Sequence, residues 1–228
     1  MSKVSVIMPN YNHAPFLKGR IESILAQDYS DIEIILLDDA STDDSRAVLE
    51  AYAAHPRVKT LLVNKTNSGN TFMQWQRGLE QAEGEYVWIA ESDDVADSRL
   101  LSTLIAAMEK NDAVLAFCAS NKIDAYGQVL PRSVDRKWRS DFCMDGKSFA
   151  AKYLLGYAHI CNASAVVFRR AAAAQVNFAQ VQQFSASGDR LFWIQLALQG
   201  KIAYVAQPCN SCIYGTFDRS RRKRHFGT

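Results

Sequence analysis

Apolar positions in the first half of the chain switch repeatedly between continuous or every-second-residue runs and a spacing of three to four, the mark of strands alternating with helices. Val4 to Met8 reads as a strand, apolar except for Ser5, and Leu17, Ile21, Ile24 and Leu25 then recur at helical spacing. Glu33 to Leu37 predicts a second strand closed by Asp38-Asp39. Ser41 or Thr42 then caps a helix whose apolar face holds Val48, Leu49 and Tyr52. Val58 to Val63 predicts a third strand, Phe72, Trp75 and Leu79 a helix ending near Gly84, and Glu85 to Ala90 a fourth strand. A helix over Leu100 to Met108 and a strand over Ala113 to Cys118 complete a run of β-α-β units. Such units imply a mostly parallel sheet in which each strand returns beside its predecessor.

Residues 119–148 lose this rhythm. They are richer in charge, with a turn at Gly127 and a basic, aromatic patch over Arg136 to Arg139, so they read as a loop or hairpin insertion. Regular patterning resumes with a helix over Phe149 to Leu155, a strand over Ala163 to Phe168, a helix from Asp189 through Leu198 and a strand over Ile202 to Val205. The expectation is one α/β domain over 1–208, with a nucleotide-binding half (1–118) and an acceptor-side half (119–208), followed by a short basic tail, 209–228.

Composition agrees with a globular fold: 48% of the 228 residues are hydrophobic and 22% charged. Charge is unevenly placed. Five of the last eleven residues are Lys or Arg, and the remainder carries 21 basic against 23 acidic side chains, so the body is not a nucleic-acid binder by charge. The five cysteines are odd in number and scattered, which argues for buried thiols over a disulfide framework; Cys209 and Cys212 have C-x-x-C spacing but no second ligand pair. The opening apolar segment is too short for a signal peptide or membrane span, so the expected location is cytoplasmic, with peripheral contact at the inner face of the membrane as an extension of that reading.

The polar residues concentrate where the chemistry of an open parallel sheet belongs, in the loops after the strands. These are Pro9-Asn10-Tyr11-Asn12-His13, Asp38-Asp39, Asn64 to Asn70 and Glu91-Ser92-Asp93-Asp94. No G-x-G-x-x-G follows the first strand and no P-loop motif occurs, which excludes both standard phosphate cradles. A diphosphate set against so many carboxylates would be repelled unless a hard divalent cation, Mg²⁺ or Mn²⁺, stood between them.

Five segments in order along residues 3–207 carry a resemblance: Val-Ser-Val-Ile-Met-Pro-Asn-Tyr-Asn (4–12), Ser-Ile-Leu-Ala-Gln-Asp-Tyr (23–29), Glu-Ile-Ile-Leu-Leu-Asp-Asp-Ala-Ser-Thr-Asp (33–43), Gly-Glu-Tyr-Val-Trp-Ile-Ala-Glu-Ser-Asp-Asp (84–94) and Gly-Asp-Arg-Leu-Phe-Trp (188–193). Each is weak alone; together they resemble the family 2 glycosyltransferases. The resemblance implies a GT-A type fold, a Rossmann-like, mostly parallel central sheet flanked by helices with a small irregular acceptor-side insertion. It implies a nucleotide-sugar donor, a UDP- or dTDP-sugar, and inverting transfer to a glycan or lipid-linked acceptor. Pro9, Tyr11, Asn12 and Asp39 would then contact the nucleotide. Glu91-Ser92-Asp93 resembles the family's D-x-D metal motif, with Asp93 as ligand, Asp94 sharing that work and Glu91 acting through ribose or water. Asp189 resembles the general base.

Plainer readings stand beside these. Asp38-Asp39 also fits a strand-end cap, the acidic run a solvated turn, and Asp189 an N-cap; Asn67 and Asn70 fit either base contact or loop structure. His13, His55 and His159 read as surface or packing residues, and Phe72 and Trp75 as core. Residues 209–228 depart from the family, where a longer acceptor-side segment commonly follows. Two rival readings therefore remain: a nucleotide-binding remnant without transfer activity, and a protein docking on anionic lipid or nucleic acid through Arg219 to Arg224.

Overall fold

The computed structural model describes residues 2–124, 128–131, 134, 137–156, 159–184 and 187–213. Gly127, Arg136 and the basic tail with Arg219 to Arg224 lie outside the described residues. Strands β1 (Val4–Asn10), β2 (Ile32–Asp38), β3 (Val58–Val63) and β4 (Tyr86–Ile89) form the parallel half of the sheet. Helices α1 (Ala14–Leu25), α2 (Ser45–Tyr52) and α3 (Thr71–Gln81) follow the first three of these strands.

Every residue of β1 and β2 is buried, which explains why they read as near-continuous apolar runs. Their alternating side chains feed two cores. Val4, Val6 and Met8 join one with Leu17, Ile21 and Ile24 of α1; Ile7, Ile35 and Leu37 join the other with Trp75 of α3.

The strand order corrects the expectation that each strand returns beside its predecessor. After β5 (Asp94–Ala96), α4 (Leu100–Asn111), β6 (Ala113–Ile123), β7 (Phe142–Asp145), β8 (Val166–Arg169) and β9 (Lys201–Ile213), the order is β3-β2-β1-β4-β8-β6-β9-β5, with β7 also on β9. Strand β4 lies beside β1, and β8 inserts antiparallel between β4 and β6. Chain direction therefore reverses next to β4. The crevice beyond the carboxyl ends of β1 and β4 is the point where strand order turns, the standard ligand position of such sheets.

Four further expectations change. Helix α2 starts at Ser45 after Asp44, which makes no side-chain cap bond, because the Ser41 hydroxyl is taken by Asp38 and the Thr42 amide donates to Asn12. Within 119–148, β6 runs on to Ile123 and β7 pairs with β9, so part of the insertion belongs to the sheet. Strand β9 continues through the expected boundary at residue 208: Asn210 to Cys212 pair with β5 on one side and β6 on the other. The strand expected over Ala163 to Phe168 begins as a single 3₁₀ turn, Ala163–Ala165.

The remaining helices are α5 (Gly146–Phe149), continued by a π-helical turn Ala150–Leu154, α6 (Arg170–Ala173), α7 (Phe178–Val181) and α8 (Gly188–Ala197). Trp138 anchors the partly described insertion by packing on Phe117, Phe142, Tyr153 and His159. All five cysteines are free thiols; Cys118 and Cys209 are buried, whereas Cys143 and Cys161 are exposed.

Candidate active site

Two adjoining clefts open at the carboxyl ends of β1 and β4. The first, about 460 Å³, is lined by Pro9, Asn10, Tyr11, His13, Asp39, Asn67, Asn70, Gln74, Glu91 and Ser92, among others. The second, about 610 Å³, holds Asp93, Asp94, Asp189, Trp75, Asn162 and Cys212; Thr71 and Glu91 border both. Hollows of similar volume over α4 and between α3 and α7 lack such an acidic cluster.

The Asp38-Asp39 pair divides its work. Asp38 is buried and accepts from Asn10 Nδ2 at 2.9 Å, Ser41 N at 3.0 Å and Ser41 Oγ at 2.6 Å, tying the ends of β1 and β2 together. Asp39 turns the other way. Its Oδ1 accepts from Asn64 Nδ2, from Ser68 N at 2.9 Å and from Gln74 Nε2 at 2.9 Å, and its Oδ2 from Ser68 Oγ at 2.7 Å. The carboxylate thus organises the β3–α3 loop along the first cleft while keeping acceptor capacity at Oδ2.

Asn67 and Asn70 line the same cleft with their amides engaged. Asn67 donates to the Asp39 carbonyl and accepts from Gly69 N. Asn70 caps α3 by accepting from Phe72 N at 2.9 Å and donates to the Gln182 carbonyl. Asn12 borders neither cleft; it adopts left-handed backbone (φ 56°) and its side chain accepts from Thr42 N at 2.7 Å. Tyr11 is 40% exposed at the rim of the first cleft, free to turn its ring toward a planar ligand.

His13 is more than a surface or packing residue. Its Nδ1 lies 2.7 Å from Ser92 Oγ, bridging the β1 loop to the acidic end of β4 inside the first cleft.

The acidic run is not a solvated turn. Ser92 and Asp94 are buried, Glu91 and Asp93 half-buried. Glu91 accepts from Trp75 Nε1 at 2.9 Å, so Trp75 is both core and an anchor of the site. Burial pushes the Glu91 carboxyl up to about 8, with the charges of Asp93 and Asp94 adding and the Trp75 N–H opposing.

Asp94 begins β5, and the Ser164 and Asn162 side chains favour its ionised form. Burial raises its carboxyl to about 6 against the pull of Arg20. Asp93 and Asp189 differ: neither carboxylate has a hydrogen-bond partner among the described residues, and both face the second cleft.

Asp189 lies in the first turn of α8, whose N-cap is Ser187 in left-handed backbone (φ 65°), so Asp189 is not the cap itself.

Among the described residues, no three His, Cys, Asp or Glu side chains converge as a metal cage. A Mg²⁺ or Mn²⁺ ion shared with a diphosphate needs only one or two protein carboxylates, and the unpartnered Asp93 beside Glu91 fits that donor set.

Sequence reasoning passed over Arg20 and Ser164. Arg20 is fully buried in phase with Leu17, Ile21 and Ile24, and a charge on the apolar face of a helix was the available signal. Ser164 sits in the segment taken for a plain strand, where nothing marked it.

The profile of glycosyl transferase family 2 matches residues 5–176. The chain is 33% identical over 141 residues to the poly(ribitol-phosphate) beta-N-acetylglucosaminyltransferase TarP of Staphylococcus aureus, a stretch covering 60% of this chain and 42% of that protein. In structure it is similar to S. aureus TarS 1-349 in complex with UDP-GlcNAc, with a TM-score of 0.72 at 20% identity over 96% of this chain and 60% of that one. It is similar as well to the mannosyltransferase PcManGT of Pyrobaculum calidifontis in complex with GDP-Man and Mn²⁺, with a TM-score of 0.67 at 20% identity over 98% of this chain and 61% of that one. The chain thus spans less than two thirds of the length of each of these three proteins.

Proposed function

The chain belongs to glycosyl transferase family 2, and on that premise we propose that it is an inverting glycosyltransferase carrying a sugar from a UDP- or dTDP-sugar to a hydroxyl of a glycan or lipid-linked acceptor, with Mg²⁺ or Mn²⁺. The observation that carries the proposal is the meeting of two clefts at Glu91, one rimmed by Tyr11 and Asp39 and the other holding Asp93 and Asp189. The first has the planar surface and acceptor groups for a nucleoside. The second has an open carboxylate for the cation and another for the acceptor.

Pro9 and Tyr11 would flank the base, the free acceptor capacity of Asp39 Oδ2 would take a base N–H or ribose hydroxyl, and Ser92 with His13 would close the floor. Asn12, Asn67 and Asp38 shape this pocket from behind. Asp93 would hold the cation, with Glu91 contributing directly or through a ribose hydroxyl or water, while Asp94 supports the turn from within. A bound cation would stabilise the charge on the departing nucleoside diphosphate. Asp189 takes the proton from the acceptor hydroxyl as that oxygen forms its bond to the anomeric carbon and the bond to the phosphate oxygen breaks on the opposite face. Attack from that face inverts the anomeric centre.

TarS and PcManGT bind UDP-GlcNAc and GDP-Man, which supports the nucleotide-sugar class, and the Mn²⁺ of the latter supports the cation. Among the described residues no helix is long and apolar enough to cross a membrane. A cytoplasmic site in peripheral contact with the membrane belongs to the same proposal, and flotation with anionic vesicles tests that part.

The central test is a thermal-shift panel of nucleoside diphosphates with and without Mn²⁺, repeated on Asp93→Ala. Stabilisation by UDP or dTDP that needs Mn²⁺ and vanishes in the variant is expected. Equal responses to every nucleotide would refute the donor reading, and binding without acceptor-dependent UDP release would leave the remnant reading in its place.

A further inference from the structure

Arg20 is the largest charged side chain fully buried in the described structure, with no exposed surface, and it occupies a position of α1 that its phase reserves for the core. Its guanidinium lies 4.7 Å from the centre of the Trp88 ring, and Nη2 donates to Ser164 Oγ at 3.0 Å. Nε and Nη1 have no partner among the described residues. The charges it faces are those of Asp94, Glu91 and Asp93.

Ser164 is the joint between them. Its oxygen accepts from Arg20 Nη2 and from Glu91 N, both at 3.0 Å. A hydroxyl has two acceptor sites and one proton, so both acceptor sites are filled and the proton remains available to the neighbouring acidic cluster. Arg20 therefore fixes, through one shared hydroxyl, the backbone of Glu91, from which the chain runs directly into Ser92 and Asp93.

We propose that Arg20 is a positioning residue for the cation and diphosphate, an inference that rests on the donor reading above. The Ser164 joint sets the course of the backbone from Glu91 into Asp93 and so keeps Asp93 turned into the cleft. The ligand-free protein carries a buried charge with two unpartnered nitrogens for this purpose. A residue kept only for stability would not be left so, since replacing a poorly paired buried ion with an apolar side chain of like volume is commonly neutral or stabilising.

The test compares wild type, Arg20→Met and Arg20→Lys by unfolding temperature without ligand and by Mn²⁺ binding in the presence of UDP, read from the electron paramagnetic resonance of free Mn²⁺. Arg20→Met is expected to keep or raise the ligand-free unfolding temperature while weakening Mn²⁺ binding by roughly 10–100-fold, the usual effect of losing an outer support of a metal site. Arg20→Lys, which keeps the charge, is expected to recover part of that loss. Undiminished Mn²⁺ binding in Arg20→Met overturns the inference. So does a fall in its ligand-free unfolding temperature that accounts for the binding loss, or an Arg20→Lys no better than Arg20→Met. Absence of UDP-dependent Mn²⁺ binding in the wild type instead removes the donor reading itself.

Discussion

At the scale of single residues, the acidic cluster and Asp189 carry separable expectations. Asp189→Asn keeps the size of the side chain but cannot take a proton, so kcat should fall by roughly 10²–10⁴ while the Mn²⁺-dependent thermal shift with UDP persists; loss of both together would count against the general-base role. The raised carboxyls of Glu91, at about 8 from 4.5, and Asp94, at about 6 from 3.8, set a pH dependence. In the folded state both bind a proton more tightly than in the unfolded chain. Their contribution to stability is therefore full below the unfolded values and declines as pH rises toward about 8. The ligand-free unfolding temperature should drop over that window, and Mn²⁺ with UDP should stabilise more at the alkaline end, where a cation meets ionised carboxylates without displacing protons. Differential scanning fluorimetry across pH checks both, and a ligand effect that shrinks with rising pH would contradict the assignment.

At the scale of elements, the site depends on how two turns and one helix are set. Ala40 adopts left-handed backbone (φ 58°) between Asp39 and Ser41, a conformation that burdens any side chain with a Cβ. Ala40→Gly should relieve it and raise the unfolding free energy by about 0.5–1 kcal/mol after glycine's greater entropy loss, visible as a higher urea midpoint with unchanged nucleotide response. Gly188 opens α8 so close to its neighbours that a Cβ would lie 2.4 Å from Phe72 Cε2 and 2.8 Å from the Val181 carbonyl oxygen. Gly188→Ala should cost about 1–3 kcal/mol and, by shifting the next residue, Asp189, reduce kcat more than it raises the donor KM. The helices themselves were legible because Leu17, Ile21 and Ile24 or Phe72, Trp75 and Leu79 announce a buried face by spacing alone. The start of α2 was not, since Ser41 is a cap by type and a sheet-end bridge by its neighbours.

At the scale of the whole molecule, the second cleft is built across the sheet's reversal. Asp93 and Asp94 come from the end of the parallel half, Asn162 and Ser164 from the entry to antiparallel β8, and β5 is held by the far end of β9. Ending the chain at residue 208 would strip β5 of its partners Asn210, Ser211 and Cys212. Such a truncation should lose the Mn²⁺-dependent response to UDP, measured against the full chain, even where far-ultraviolet circular dichroism shows the rest still folded.

The alternation of β1 to β4 with α1 to α3, their parallel pairing and the polar strand ends were readable in the chain, because hydrophobic period and the residue types at strand ends are local properties; β5, β7, α6 and α7 were too short to announce themselves by period. Asp39, Glu91, Asp93 and Asp189, which the ordered motifs single out, come to line the two adjoining clefts. Period and spacing by themselves do not tell which of two adjacent acids turns into the cleft. Asp38 and Asp39, or Asp93 and Asp94, are equivalent in sequence and are told apart by what lies beneath them: Asn10 and Ser41 in the first case, Ser164, Asn162 and the buried Arg20 in the second. Two of those partners, Arg20 and Ser164, stand 144 residues apart along the chain, and only the packing of α1 and β8 against β4 brings them together.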